Sequence, residues 1–214
     1  MTARLALVNP NTSAATTEAM LAIARRAAPA GIEMVGLTAP FGAPLIATEA
    51  ALAEAGRAVA SLSPRIAADG VIVAAFGDPG LDELRLRLGV PVTGIGEAAF
   101  LAAAGRRAVV VTTTPGLAPA IRGMARCYGY DDVPVVLTPG RPDRLMAEPR
   151  TLLAALLDAC REAIRLHGPE ALIIGGGPLA EAARALRHLV PVPLIEPVPA
   201  AVVLASRRIS HPFV

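Results

Sequence analysis

Short apolar runs recur along this chain, each followed by an amphipathic stretch, and the second half repeats the first. The runs are LALVN (5–9), IEMVGL (32–37), VIVAA (71–75), PVTGI (91–95), AVVVT (108–112), VPVVL (133–137), ALIIG (171–175) and PVPLI (191–195). Runs this short and continuous read as strands buried on both faces. The stretches between them carry helical spacing over 13–28, 48–66, 79–88, 97–104, 116–128, 149–167, 178–189 and 199–208. Strands alternating with helices predict a parallel α/β architecture. The repeat narrows this further. Val90-Pro91-Val92 returns as Val190-Pro191-Val192, and VIVAAFGDPGL (71–81) returns as ALIIGGGPL (171–179). RLALVNPNTS (4–13) and RAVVVTTTPG (107–116) share a strand, a hydroxyl-rich loop and a helix start. The fold expected is two pseudosymmetric Rossmann-like lobes, each a parallel sheet of about four strands flanked by helices. The first lobe spans 1–96 and the second 97–197, with a terminal helix over 198–214 packing back on the first.

Composition excludes several chemistries. All 20 basic residues are arginine, so no Schiff-base, pyridoxal-phosphate or P-loop lysine is available. The arginines are scattered and aromatics make up 3%, which argues against a nucleic-acid surface. His167, His188 and His211 show no ligand spacing, so no metal is expected. Cys127 and Cys160 fall in helical stretches and read as small buried hydrophobes. Pro and Gly interrupt the charge-free runs before they reach membrane-spanning length. The start MTARLALVNP lacks the apolar core of a secretion signal, so the expected compartment is the cytoplasm. No nucleic acid or membrane partner is expected.

In open parallel sheets, ligands bind at the carboxyl ends of the strands. Two facing lobes would gather four loops there: NPNTS (9–13), AFGDPG (75–80), TTTPG (112–116) and GGGPL (175–179). Asn9, Asn11 and Thr12 offer amides and a hydroxyl suited to a carboxylate, imide or ureide; capping by Asn11, Thr12 or Ser13 is the plainer reading. Thr114 before Pro115 reads as a cap, leaving Thr112 and Thr113 at the strand end. Gly176 and Gly177, before Pro178, let the backbone approach a ligand and present N–H groups. Asp78 reads either as a cap for the helix that follows or as a general acid–base at the cleft. Glu49, Glu97 and Glu196 are weaker candidates for that role.

Together the segments LVNPNTS (7–13), AAFGDPGL (74–81), PVTGIGEAA (91–99), VVTTTPG (110–116) and ALIIGGGPLA (171–180) resemble the Asp/Glu/hydantoin racemase superfamily, nearest its hydantoin racemase branch. The resemblance runs nearly end to end. It implies two α/β lobes around a central site, no cofactor, and proton exchange at a carbon beside a carbonyl. In that family, two cysteines on opposite faces of the substrate move the proton. The resemblance places them where this chain has Ala75 and Gly176. A methyl group and a hydrogen carry no proton, and neither Cys127 nor Cys160 matches the motif. The resemblance therefore implies a racemase-like cleft without racemase thiols. Substrate contacts are expected from Ala75, Phe76 and Gly77 besides the loops above, and N–H groups of 76–78 and 176–177 would stabilise an enolate or oxyanion. Three explanations stay open: a branch with other proton-transfer or hydrolytic chemistry, a non-catalytic small-ligand-binding protein, or an engineered loss at Ala75. A homo-oligomer is expected because relatives commonly pair.

Overall fold

The computed structural model describes residues 2–210. The first sheet has strands β1 (Ala3–Asn9), β2 (Ile32–Thr38), β3 (Gly70–Val73) and β4 (Val92–Gly94), in the order β2-β1-β3-β4. The second has β5 (Ala108–Thr112), β6 (Val135–Leu137), β7 (Ala171–Ile174) and β8 (Leu194–Ile195), in the order β6-β5-β7-β8. Every pairing is parallel, with Val8 opposite Val73 and Val111 opposite Ile174 in the two central ladders. The expected two-sheet α/β fold is what the chain forms. Matching strand orders place matching loops at matching edges.

The helices are α1 (Ala14–Ala27), α2 (Glu49–Ser61), α3 (Leu81–Arg87), α4 (Ile95–Ala103), α5 (Ala118–Arg126), α6 (Pro142–Ala147), α7 (Pro149–His167), α8 (Ala180–Leu186) and α9 (Pro197–Ser210). Ser13 caps α1 by accepting from the Thr16 N–H, and Thr48 caps α2 by accepting from the Ala51 N–H. Helix α7 stops where Gly168 turns left-handed, at φ 52°. Among the described residues, no helix is long and apolar enough to cross a membrane.

Both faces of each sheet are covered, which explains why the strands lack polar alternation. Leu5, Leu7 and Ile72 pack under α1 and α9; Val8, Val71 and Val73 pack with Val59, Leu81 and Leu84 on the other face. In the second lobe, Val110 and Ile173 face Ile121 and Phe100, while Val111, Leu172 and Ile174 face Leu156 and Cys160 of α7. Helix α4 lies between the lobes: Ile95 and Ala98 join the first lobe's core, Ala99 and Phe100 the second's.

Some element limits differ from the sequence reading. Helix α2 ends at Ser61 because Ser63–Arg65, holding Pro64, tightens into a 3-10 turn. Helix α3 begins at Leu81, since Gly80 before it is left-handed at φ 76°. Short 3-10 turns at Pro115–Leu117 and Gly177–Leu179 precede α5 and α8. Helix α6 went unpredicted; it is a single proline-initiated turn with one buried residue, Leu145. Cys160 is buried as expected, and burial raises its thiol to about 11. Cys127 is exposed at the end of α5, not inside a helix. The last residues of the expected terminal helix, 211–214 with His211, lie outside the described residues.

Charge fastens α9 to the first lobe. The buried Glu97 carboxylate takes paired hydrogen bonds from Arg208 at 2.8 and 2.9 Å and two more from Arg85 at 2.8 and 2.9 Å. Arg208 also donates to Thr93 Oγ1 at 3.0 Å. Truncating one partner leaves a buried acid short of donors, an effect of 3–5 kcal/mol where nothing else remains (about). Arg85 persists here and both arginines are partly exposed, so Arg208→Ala should cost about 2 kcal/mol. A urea unfolding midpoint lowered without a change in slope checks it.

Candidate ligand cleft between the lobes

The carboxyl ends of the two central ladders face each other, and the loops leaving them form one cleft. Its walls include Asn11 after β1, Ala75 and Phe76 after β3, Thr113 and Thr114 after β5, and Gly176, Gly177 and Pro178 after β7. The lobes meet there backbone to backbone. A Cβ on Gly177 would stand 2.6 Å from the Ala74 carbonyl, and one on Gly116 would stand 2.6 Å from the Ala47 carbonyl. Glycine is required at both contacts by this close approach.

The polar groups divide into those used by the fold and those left over. The Asn9 amide is fully spent: its Nδ2 donates to Asn11 Oδ1, Thr17 Oγ1 and the Ser13 carbonyl, and its Oδ1 accepts from the Asn11 N–H. Asn11 Oδ1 accepts from Asn9 and from the Ser13 N–H at 2.9 Å, which orients the amide and leaves its Nδ2 without a protein partner among the described residues. Thr112 Oγ1 donates to the Gly175 carbonyl at 2.7 Å, tying β5 to β7 beneath the cleft. The Thr113 hydroxyl makes no hydrogen bond among the described residues and Thr114 shares one with Thr112 at 3.2 Å. Asn9, Thr12, Gly77 and Thr112 are therefore not on the cleft wall; they shape the loops behind it.

Backbone donors gather at the same place. Among the described residues, the N–H groups of Ala75, Phe76, Thr113, Thr114 and Gly177 take no partner in the protein, although all five residues are buried. All five residues belong to the cleft wall, and buried N–H groups are almost always paired. The N–H groups of Asp78 and Gly176, expected to serve similarly, are spent on the carbonyls of Ala75 and Ile174.

Apolar side chains complete the wall: Leu45 and Ile46 from the loop before α2, Leu117 and Ile121 from α5, Met146 from α6 and Leu179. Sequence reasoning missed these. A signal was present, because APLIAT (43–48) puts two aliphatic residues in a loop and Leu145-Met146 repeats Leu45-Ile46 at the repeat spacing. No titratable side chain lines the cleft among the described residues. Nor, among the described residues, do three His, Cys, Asp or Glu side chains come together to hold a metal.

Asp78 faces the other way. Its φ of 47° is left-handed, which swings the carboxyl away from the cleft and onto the start of α4. Gly96 N–H donates to Oδ1 at 2.8 Å and Glu97 N–H to Oδ2 at 2.7 Å. It caps α4, whereas α3, the helix that follows it, has no side-chain cap. Burial pushes Asp78 up from 3.8 to about 7, against the two N–H groups; the Glu97 charge adds to the rise and Arg85 opposes it. For Glu97, burial also pushes upward, but the hydrogen bonds and charge of Arg208, with Arg85, bring it below its ordinary value. Glu49 opens α2 at the surface, and Glu196 sits 3.8 Å from Arg187, away from the cleft.

The geometry defines a class: a two-lobed α/β protein with a cleft between two pseudosymmetric parallel sheets. A sequence model of the Asp/Glu/hydantoin racemase family matches residues 5–205, and the chain belongs to that family. It is 28% identical to a hydantoin racemase of Paenarthrobacter aurescens, over 97% of this chain and 91% of that one. The solved allantoin racemase from Klebsiella pneumoniae is 30% identical, with a TM-score of 0.91 over 97% of this chain and 88% of that one. Allantoin racemase from Pseudomonas fluorescens is 31% identical, with a TM-score of 0.90 over 97% and 91%.

Two outcomes follow. Gly177→Ala forces the lobes apart at Ala74 and should cost about 1–3 kcal/mol in chemical denaturation. Asp78 has a folded pKa above its unfolded value, so its contribution to stability is complete below pH 3.8 and is lost as pH rises through about 7. Thermal midpoints should show wild type losing ground to Asp78→Asn between pH 5 and pH 8.

Proposed function

We propose that the cleft recognises a compact cyclic ureide, such as a hydantoin or allantoin, or a small carboxylic acid, and does so without the family's thiol chemistry. The observation that carries this reading is a buried lining rich in donors yet lacking any acid–base side chain. Five unpaired N–H groups and the Asn11 amide suit carbonyl or carboxylate oxygens, and the Thr113 hydroxyl can accept a ring N–H. The named substrates of the similar racemases, hydantoins and allantoin, fit that donor set. The aliphatic wall would hold whatever substituent the ring carries.

A second reading is favoured by the same N–H groups. Donors preorganised in a dry site stabilise an enolate or tetrahedral oxyanion more than a neutral ground state. Water would then have to supply base and acid, giving slow proton transfer or hydrolysis.

Solvent deuterium exchange at the C5 proton of 5-methylhydantoin and allantoin, followed by NMR with product analysis, separates the two. Saturable binding with exchange at the buffer rate and no new product is the expected result. Exchange or product above that rate selects the second reading, and absence of binding overturns both. The double variant Ala75→Cys/Gly176→Cys should gain exchange. The backbone at Gly176 is extended, with φ 162°, and its nearest neighbour is the flexible Leu179 side chain, so a thiol can be housed.

A further inference from the structure

We propose that Asp78 is the positioning residue of the cleft: its buried carboxylate clamps the 75–77 loop to the start of α4, and Arg208 of α9 secures that clamp through Glu97. The inference rests on the ligand-binding reading above and names what controls that site.

Three observations converge on it. First, Asp78 carries two local costs at once, a buried carboxylate and a left-handed backbone on a residue with a Cβ. The carboxylate is not used to cap α3, because that helix starts from Gly80 without a side-chain cap. Second, the sequence around the acceptor is shaped for it. A Cβ at Gly94 would fall on the Asp78 carboxyl, and one at Gly96 would stand 3.0 Å from Oδ2 and 2.6 Å from Met124. The glycines of Thr93-Gly94-Ile95-Gly96-Glu97 thus clear a path for the carboxylate to reach the helix N-terminus, where N–H groups and the helix dipole favour negative charge. Third, the helix start is itself held. Glu97 accepts from the Gly94 N–H at 3.2 Å while its carboxylate is gripped by Arg85 and Arg208.

The loop so clamped presents two of the five unpaired donors, the N–H groups of Ala75 and Phe76. They lie three and two residues before Asp78, and the Asp78 N–H closes the turn onto the Ala75 carbonyl at 3.0 Å. Fixing the carboxylate therefore fixes the direction of those donors. Its ionised form accepts both α4 N–H groups most strongly. The groups facing it are Glu97 on α4, Arg85 on α3 and Tyr128 after α5, with Arg208 of α9 acting through Glu97. Ionisation lowers global stability, as derived above, yet tightens the clamp.

The test uses full-length protein, with 5-methylhydantoin as probe and amide hydrogen exchange resolved by NMR. Asp78→Asn keeps the size and one acceptor. It should bind the probe at least tenfold more weakly, and the amides of 75–77 and 94–97 should exchange faster. Wild-type affinity should fall as pH drops below about 7, while that of Asp78→Asn stays flat. Arg208→Ala should weaken binding in the same direction, and the core variant Leu156→Ala, remote from this network, should leave the affinity of the folded protein unchanged. Wild-type affinity in Asp78→Asn with unaltered 75–77 exchange overturns the inference, as does an equal loss in Leu156→Ala. If wild type binds no probe, the binding reading fails, and the 75–77 exchange rates of Asp78→Asn still decide the clamp.

Discussion

The Ala74 carbonyl and Gly177 approach so closely that no side chain fits between them, and the rest of the cleft is built around this contact. It joins the end of β3 to the end of β7, the equivalent strands of the two lobes. With Gly116 against the Ala47 carbonyl, it sets the spacing of the walls. Both contacts are backbone against backbone, with the Met20 sulfur also packed against Gly177. The strands behind them are parallel and buried on both faces. The unused polar groups of each lobe consequently collect at one edge, where the other lobe closes over them.

Within that frame, each polar residue does one of two jobs. Asn9, Thr17, Thr112 and Asp78 spend their hydrogen bonds on the fold and determine where the loops point. Asn11 Nδ2, the Thr113 hydroxyl and the N–H groups of 75–76, 113–114 and 177 make no hydrogen bond among the described residues. The division accounts for a lining with many donors and, among the described residues, no titratable group. Charge is buried one layer further back, at Asp78 and Glu97, where it acts on loop position and on the attachment of α9.

Much of the architecture was legible because it follows from periodicity. Short apolar strands, amphipathic helices and the repeat were enough to anticipate two parallel sheets and the four loops between them. The short elements were not legible in this way. A single turn such as α6, with only Leu145 buried, leaves no periodic trace, and the 3-10 turns at 115–117 and 177–179 depend on local proline and glycine geometry. At the cleft, residue types pointed to the correct loops but not to the direction each side chain takes. Asp78 is the clearest example: Asp before Pro suggests a cap for the next helix, and a left-handed φ turns it to a helix almost twenty residues away (roughly). The spacing of glycines in TGIGE held that information, since only a tertiary contact gives them a purpose.

Helix α9 follows the whole second lobe in the chain, yet Val198, Ala201, Val202 and Ala205 fill the core of the first. The first lobe is thus sealed by residues synthesised nearly 200 positions after its first strand (roughly). During translation β1, β2 and β3 can pair under α1, but Leu5, Leu7 and Ile72 lack the part of their cover that α9 supplies until that helix has left the ribosome. The two lobes look like successive units, but their order of completion is interleaved: the lobe that begins first is finished last. A nascent chain halted after β8 would present that apolar face to its surroundings, which makes the interval before α9 docks the period when this protein most depends on protection from aggregation.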